Sequence, residues 1–385
     1  MKLKSCNVNW VLFLLFLYFS IPKIDLILLP GLASGVRIQD FIVLFVFFYV
    51  FQSRVWLRYQ VELFLFTVFC FVLCLTSYVT KLSNLVFYLR YVEYFVLSLA
   101  IYLLLQTRGT DVVIRLFLSI LLFGLLFSFL QYLELLPSFD TGRGMLYGSG
   151  RNSGTAGNAL EYSYFLITLF YLFLSMVKDK VFLFITFSLV VLGLLFSGSR
   201  SPILFLFVSV FFILGKKFSL YFLFFCVLFV ILLVLAYLDG FISLFSLFLF
   251  WEGYLVDVCL SYDVFDFNEI KSGTLDAGLD RSFAARVLKI CSAFSFASNS
   301  GYESIFGFGA LALGGAMDSG VIRIFLEFGI FGIVFLLFFC MKGTFLAYTF
   351  LSINIFFDGY LNSMCMPVLL FLILQQERHR SLKTF

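Results

Sequence analysis

The chain has 385 residues, of which 63% are hydrophobic and 21% aromatic, whereas only 12% are charged. A soluble protein of this length needs far more charge on its surface, so the composition excludes a soluble globular protein and indicates that the lipid bilayer is the solvent. The net charge of +4 gives no reason to expect nucleic acid as a partner, because in a membrane protein the placement of Lys and Arg matters more than their sum.

The charged residues fall in short groups that are separated by apolar runs of about 20 residues, the length at which an α-helix crosses the hydrocarbon layer. We therefore predict an all-α polytopic membrane protein with about twelve transmembrane helices. In chain order, the predicted spans are residues 9–31, 40–52, 61–79, 85–105, 116–136, 158–176, 181–196, 202–215, 218–238, 324–341, 344–357 and 363–375.

The placement of the basic residues predicts the orientation of these spans. If both chain ends are cytoplasmic, more than half of the Lys and Arg residues fall in inner loops, as the positive-inside rule requires. Residues 1–385 then form a single transmembrane domain with one long outer loop, residues 239–323. The stretch 219–251 is read as one span followed by an interfacial segment, because a second span there would move the basic tail to the outside.

The first outer loop, residues 137–157, is rich in glycine and contains Arg143 and Arg151. Glycine allows backbone N–H groups to approach an anion, and Arg presents a bidentate fork to phosphate oxygens, so this glycine-rich loop is predicted to bind phosphate. A flexible loop with two solvated arginines is the alternative. The next span carries Glu161 in its first turns, after Asn158, and a carboxylate at that depth is costly unless it is used or paired.

Two further cationic features lie on the predicted outer side. The turn FSGSRSP places Arg200 between two spans, either as a ligand-binding cation or as an anchor to lipid headgroups. In the long loop, Asp280 is a plausible N-cap of an amphipathic helix that carries Arg286 and Lys289 on one face. That helix either faces a substrate or lies along lipid headgroups.

The end of the long loop leads into a span through a glycine-containing passage. Gly307 and Gly309 permit a tight approach of the backbone, and Asp318 and Arg323 bracket the entry to the span. That span also carries Glu327, an acidic residue within the predicted hydrocarbon region.

Five stretches together resemble the O-antigen polymerase and ligase superfamily. They are GSGRNSGTAGN before a span, LLFSGSRSPILFLFVSVFF, the Arg-bearing amphipathic helix, FGFG, and DSGVIRIFLEFGIFG before a further span. In that family a large outer loop covers a cavity for polyprenyl-diphosphate-linked glycans, and arginines of outer loops bind the diphosphate. The resemblance implies diphosphate-binding roles for Arg151, Arg200 and Arg286, and also for Arg281 and Arg143.

The resemblance implies a glycosyltransferase at the periplasmic face of a bacterial inner membrane, which polymerises lipid-linked repeat units into O-antigen or a related surface polysaccharide for lipopolysaccharide biosynthesis. No cofactor or metal is expected, because the donor is already activated and arginines can neutralise the diphosphate. Asp318, and after it Glu161, are the candidates for the carboxylate that orients or deprotonates the acceptor hydroxyl. The expected partners are the lipid-linked glycan, membrane lipid, a chain-length regulator and a flippase.

Two alternatives to the polymerase stay open. An O-antigen ligase of the same superfamily carries a histidine near the position of Asp318, whereas the single histidine here is His379, in the predicted cytoplasmic tail. A lipid-linked oligosaccharide flippase, a transporter and not an enzyme, also has many spans but needs cations inside the bundle. Arg90 and Glu93 are nearly alone at that depth, which favours the polymerase.

Overall fold

A computed structural model describes the protein over a defined part of the chain. The described residues are 8–23, 25–27, 36–53, 85–140, 144–146, 152–199, 202–203, 206, 307, 323–325, 327–334 and 364–381. Within these residues the chain is mostly helical. Residue contacts divide the chain into two compact units, one comprising Met1–Ile203, Phe335–Asn354 and Gly359–Phe385 and the other Leu204–Val334 and Ile355–Asp358.

The first unit contains a set of helices and two small sheets. Its described helices are α1 (Val8–Ser20), α2 (Ile38–Ser53), α3 (Leu85–Arg108), α4 (Thr110–Tyr132), α5 (Ala159–Met176), α6 (Lys180–Ser197) and α7 (Cys365–Ser381). The sheets are antiparallel and two-stranded, and they pair β1 (Asp25–Ile27) with β2 (Val36–Arg37) and β3 (Ser138–Asp140) with β4 (Gly144–Leu146). These strands were not among the predicted elements.

Three of the described helices, α4, α5 and α6, are long and apolar enough to cross a membrane, and α1 and α2 are apolar but shorter. Several helices also carry large apolar side chains on their outer faces: Phe45 of α2 is 63% exposed and Phe184 of α6 is 69% exposed. Such faces are unfavourable in water and favourable against lipid. The structure therefore supports a membrane protein built of helices.

The predicted first span, residues 9–31, is not one continuous helix, because α1 ends at Ser20 and the chain enters β1 at Asp25. Pro22 explains the early end, since proline has no N–H for a helical hydrogen bond and disfavours helical backbone in the residue before it. A prediction from hydropathy alone misses this helix break, because Pro22 is averaged with its apolar neighbours.

The other described helices agree more closely with the predicted spans. The predicted spans 40–52, 158–176 and 181–196 correspond to α2, α5 and α6, with boundaries that differ by at most two residues. The predicted spans 61–79, 218–238 and 344–357 lie outside the described residues.

Helix α5 lies at the centre of the first unit. It packs against α4, α6 and α7, while α3 packs against α2, α4 and α7. Gly193 of α6 allows close packing, because a Cβ atom there would lie 2.6 Å from Leu166 of α5 and 2.7 Å from Leu125 of α4. Small residues at helix contacts are common in membrane bundles, where packing replaces the hydrophobic effect as the driving force.

In the second unit, residues 323–325 and 327–334 are helical. Arg323 Nε donates to Glu327 Oε1 at 3.0 Å, one turn along the helix, and the Glu327 side chain is almost fully buried. Gly307 adopts φ +87° and approaches the main chain at Glu327 so closely that a Cβ atom would collide with it. The tight passage predicted at Gly307 is therefore confirmed.

Candidate functional site

Glu161 is the predicted site residue that lies within the described part of the chain. The remaining candidates, which are Asp318, Arg143, Arg151, Arg200, Arg281 and Arg286, lie outside the described residues. The site is therefore built from Glu161 outwards.

Glu161 occupies the first turn of α5, where local hydrogen bonds determine its position. Asn158 is the N-cap of α5, and its Oδ1 accepts a hydrogen bond from the N–H of Glu161 at 2.8 Å. Asparagine is among the preferred N-cap residues, and an acidic side chain in the first turn interacts favourably with the helix dipole. The N–H of Gly157 also donates to the Glu161 carboxylate, an arrangement similar to a capping box.

Lys23 is the charged partner of this carboxylate. Lys23 Nζ donates to Glu161 Oε2 at 2.5 Å, and the two side chains are 2% and 23% exposed, respectively. Burial disfavours the charged form of the Lys23 ammonium, and the nearby Glu161 carboxylate offsets this cost. The structure thus supports the view that a carboxylate at this depth is paired.

Lys23 lies inside the predicted first span, residues 9–31, but its pairing with Glu161 was not predicted. The available signal was that both residues are charges of opposite sign in predicted membrane segments, where each is costly without a partner. The two residues are 138 positions apart, so no local spacing rule connects them.

Arg37 links this ion pair to a second group of charged side chains around Glu93. Arg37 is buried and interacts electrostatically with Lys23 and Glu161 as well as with Glu93. We define the charged cluster as three basic and three acidic residues: Lys23, Arg37, Arg90, Asp40, Glu93 and Glu161. The expectation that Arg90 and Glu93 are nearly alone is therefore wrong, because Arg37 and Asp40 both interact with Glu93.

Residues 152–157, in the second half of the glycine-rich loop, are buried and hydrogen-bonded to helix ends. Asn152 Nδ2 donates at 2.8 Å to a main-chain carbonyl in the last turn of α6. The N–H of Gly154 donates to Gln131 Oε1 of α4 at 2.8 Å. Thr155 Oγ1 donates at 3.1 Å to a carbonyl in the last turn of α1. This part of the loop joins the ends of three helices.

The structure assigns Gly154 to packing and not to anion binding. Its N–H is already used by Gln131, and at φ +53° a Cβ atom would lie 2.5 Å from the ring of Tyr162. The prediction that the glycines present free N–H groups to a phosphate is therefore wrong at Gly154. The alternative of a flexible, solvated loop is wrong for residues 152–157 as well, because they are buried.

The turn that precedes Arg200 is held against α5. Ser163 Oγ donates to Ser197 Oγ at 2.8 Å, and the N–H of Ser199 donates to the same Ser197 oxygen at 3.3 Å. Ser163 follows Glu161 by two residues in α5. Hydrogen bonds thus place the end of α6 beside the helical turn that carries Glu161.

The carboxylate of Glu161 limits what this part of the site can bind. An ionised carboxylate only accepts hydrogen bonds, so it can accept from a neutral hydroxyl group but not from a diphosphate, which has no donor to offer when it is ionised. Among the described residues, no three His, Cys, Asp or Glu side chains are arranged to hold a metal ion.

Comparison of the chain with models of protein families and with curated proteins found no match.

Proposed function

We propose that the protein is an O-antigen polymerase, which joins polyprenyl-diphosphate-linked repeat units at the periplasmic face of a bacterial inner membrane. The proposal rests on the resemblance of its glycine- and arginine-rich stretches to the polymerase and ligase superfamily. The observation that supports it best is the ion-paired Glu161, which lies at a helix end joined to both the glycine-rich loop and the turn before Arg200.

The full topology belongs to this proposal. It comprises about twelve spans, cytoplasmic chain ends and a periplasmic loop at residues 239–323. In this topology the end of α1 and the starts of α2 and α5 all lie on the periplasmic side. The charged cluster then lies close to that face, where a lipid-linked donor is delivered.

The proposed reaction is a glycosyl transfer. The acceptor hydroxyl oxygen forms a bond to the anomeric carbon of the donor, while the bond from that carbon to the diphosphate oxygen breaks and leaves its electron pair on the diphosphate. Arg151, Arg200 and Arg286 stabilise the growing negative charge, with Arg143 and Arg281 as further contributors.

Two carboxylates have roles at the acceptor. Asp318 takes the proton of the acceptor hydroxyl as general base. Glu161 orients that hydroxyl by accepting a hydrogen bond, a role that suits a carboxylate already held by an ammonium group.

The two alternatives, a ligase and a flippase, make different demands on the charged residues of the chain. A ligase would need a histidine near the position of Asp318. This chain has a carboxylate there, and its histidine, His379, lies in the predicted cytoplasmic tail. A flippase gains support from the charged cluster, since that cluster contains more intramembrane charges than expected. Lys23, Asp40 and Glu161 nevertheless lie just outside or in the first turns of their helices, near the periplasmic face in this topology. Glu93 lies deeper, about 12 Å from the start of α3 at 1.5 Å per residue.

Deletion of the gene, followed by electrophoresis of the lipopolysaccharide, tests the proposal. A polymerase predicts that the ladder collapses to core plus a single repeat, because ligation and flipping continue without it. Loss of every repeat-bearing band would instead identify a ligase or a flippase. The side of the membrane on which the lipid-linked intermediate accumulates then separates those two.

Complementation of the deletion with variants tests the individual roles. We expect Asp318→Asn and Arg286→Ala to abolish the ladder at normal protein abundance, because they remove the base and a diphosphate ligand. Arg115→Ala is the matched control, since Arg115 is an exposed arginine of α4 on the predicted cytoplasmic side. A full ladder from Asp318→Asn would remove Asp318 from the role of base.

A further inference from the structure

We infer that Lys23 is a positioning residue for the acceptor: it holds the Glu161 carboxylate in the orientation that accepts a hydrogen bond from the attacking sugar hydroxyl. The inference rests on the proposed polymerase function and extends it to a residue outside the predicted site. On this inference, the region around Lys23 and Glu161 recognises the neutral acceptor hydroxyl and not the diphosphate.

The geometry of the ion pair carries the first step. Lys23 is almost fully buried, whereas the Glu161 side chain retains 23% of its exposure. The pair is therefore asymmetric, because the Lys23 side chain is enclosed and the Glu161 side chain is partly exposed. An enclosed cation that binds one carboxylate oxygen at 2.5 Å restricts the rotation of that carboxylate and leaves its second oxygen without this partner.

The surroundings of Lys23 carry the second step. Gln39 is buried, and its Nε2 donates to the carbonyls of Ile21 and Pro22 at 2.8 and 3.2 Å, which holds the backbone just before Lys23. The lysine is therefore placed by a rigid segment and not by a free side chain. Preorganised support of this kind is what a reaction requires of groups that orient a substrate.

The chemistry of the carboxylate carries the third step. An ionised carboxylate only accepts hydrogen bonds, so Glu161 can accept from a hydroxyl group but repels a diphosphate. Among the described residues, Glu161 interacts with Lys23 and Arg37, two cations that favour its ionised form. The acceptor hydroxyl is therefore the substrate group that suits Glu161.

A charge swap separates positioning from a purely structural role. In the double variant Lys23→Glu/Glu161→Lys the ion pair is kept with its polarity reversed, so protein abundance should stay near that of wild type, while the thermal midpoint falls because an ammonium replaces the carboxylate at the N-terminus of α5. An ammonium at position 161 has no acceptor, however, and cannot accept a hydrogen bond from the sugar hydroxyl. We expect polymer beyond the first repeat to fall about 100-fold in this double variant.

Milder variants keep the test valid if the swapped protein does not fold. Lys23→Arg should retain the ladder, because arginine also donates to a carboxylate, whereas Lys23→Gln at equal abundance should lose most of it. Lys180→Glu is the matched control, since it reverses the charge of an exposed lysine at the start of α6 and should leave the ladder unchanged. A full ladder from either the swap or Lys23→Gln would overturn the inference.

The deletion strain separates failure of this inference from failure of the proposed function. An unchanged ladder after deletion would refute the polymerase and, with it, the acceptor role of Lys23. A ladder that is lost on deletion but restored by the charge swap would leave the polymerase in place, refute the orienting roles of Lys23 and Glu161 together, and reduce the ion pair to a structural contact.

Discussion

Replacement of Gly154 by alanine should destabilise the protein strongly, for two separate reasons. The backbone at Gly154 has φ +53°, which an L-residue adopts at a cost of about 1–3 kcal/mol. The new Cβ atom would also lie 2.5 Å from ring atoms of Tyr162, well inside contact distance. Overpacking of a well-packed core costs about 1–3 kcal/mol more.

The ring of Tyr162 has little freedom to move away from the new methyl group. Its side chain is fully buried, and on another side it faces Gly124, where a Cβ atom would lie 3.4 Å from the ring. The total expected loss for Gly154→Ala is therefore about 2–6 kcal/mol, as the sum of backbone strain and overpacking.

Gly109→Ala is the control for backbone strain without a collision, because Gly109 has φ +85° and ψ 178°, a region that is essentially restricted to glycine, but nothing within 4 Å of its Cβ position. Both alanine variants should therefore lower the thermal midpoint of detergent-purified protein. Tyr162→Leu should recover part of the loss in the Gly154→Ala background but none of it in the Gly109→Ala background. Equal effects of Tyr162→Leu in the two backgrounds would refute the claim that Tyr162 is what requires glycine at position 154.

Three smaller perturbations test the packing and hydrogen bonds around the site by the same thermal measurement. Gly193→Ala should cost about 1–3 kcal/mol, because its methyl group would lie 2.6 Å from Leu166, and an unchanged midpoint would contradict the close helix contact. Asn152→Ala should cost about 0.5–1.5 kcal/mol by removing the donor to a partly buried carbonyl of α6, whereas an unchanged midpoint would place the side chain in water. Asn158→Ala should cost about 0.5–2 kcal/mol through loss of the N-cap of α5, more than loss of the exposed cap in Asp179→Ala; the reverse order would refute the partly buried geometry at Asn158.

Long apolar helices were the part of the fold that the sequence predicted well. The bounds of α5 and α6 follow from an apolar run preceded by a capping residue, Asn158 in one case and Asp179 in the other, and both caps are present in the structure. The first span was predicted too long, because hydropathy averages over Pro22 and does not register a local break. The short strands β1 and β2 were not predicted, because two or three residues form no recognisable sequence pattern.

The candidate site was predictable in its chemistry but not in its pairings. A carboxylate at the depth of Glu161 requires a use or a partner, and this requirement was visible in the sequence. The partner of Glu161 was not visible, because Lys23 comes close to Glu161 only in the folded chain, where α1 ends before Pro22 and the start of α5 lies beside Lys23. Gly154 was misread because its need for glycine comes from the ring of Tyr162, a contact that no motif records.

The bilayer explains why polar side chains concentrate at these helix ends. Inside hydrocarbon an unsatisfied carbonyl or N–H is costly, so a chain that must turn between spans needs polar side chains to complete the hydrogen bonds that the helices leave open. Gln39, Asn152 and Thr155 supply such bonds to the ends of α1 and α6, and Gln131 supplies one to the loop that follows α4. Gln39 thereby holds the carbonyls of Ile21 and Pro22, directly before Lys23. The polar side chains that close the helix ends therefore also fix the segment from which Lys23 reaches Glu161.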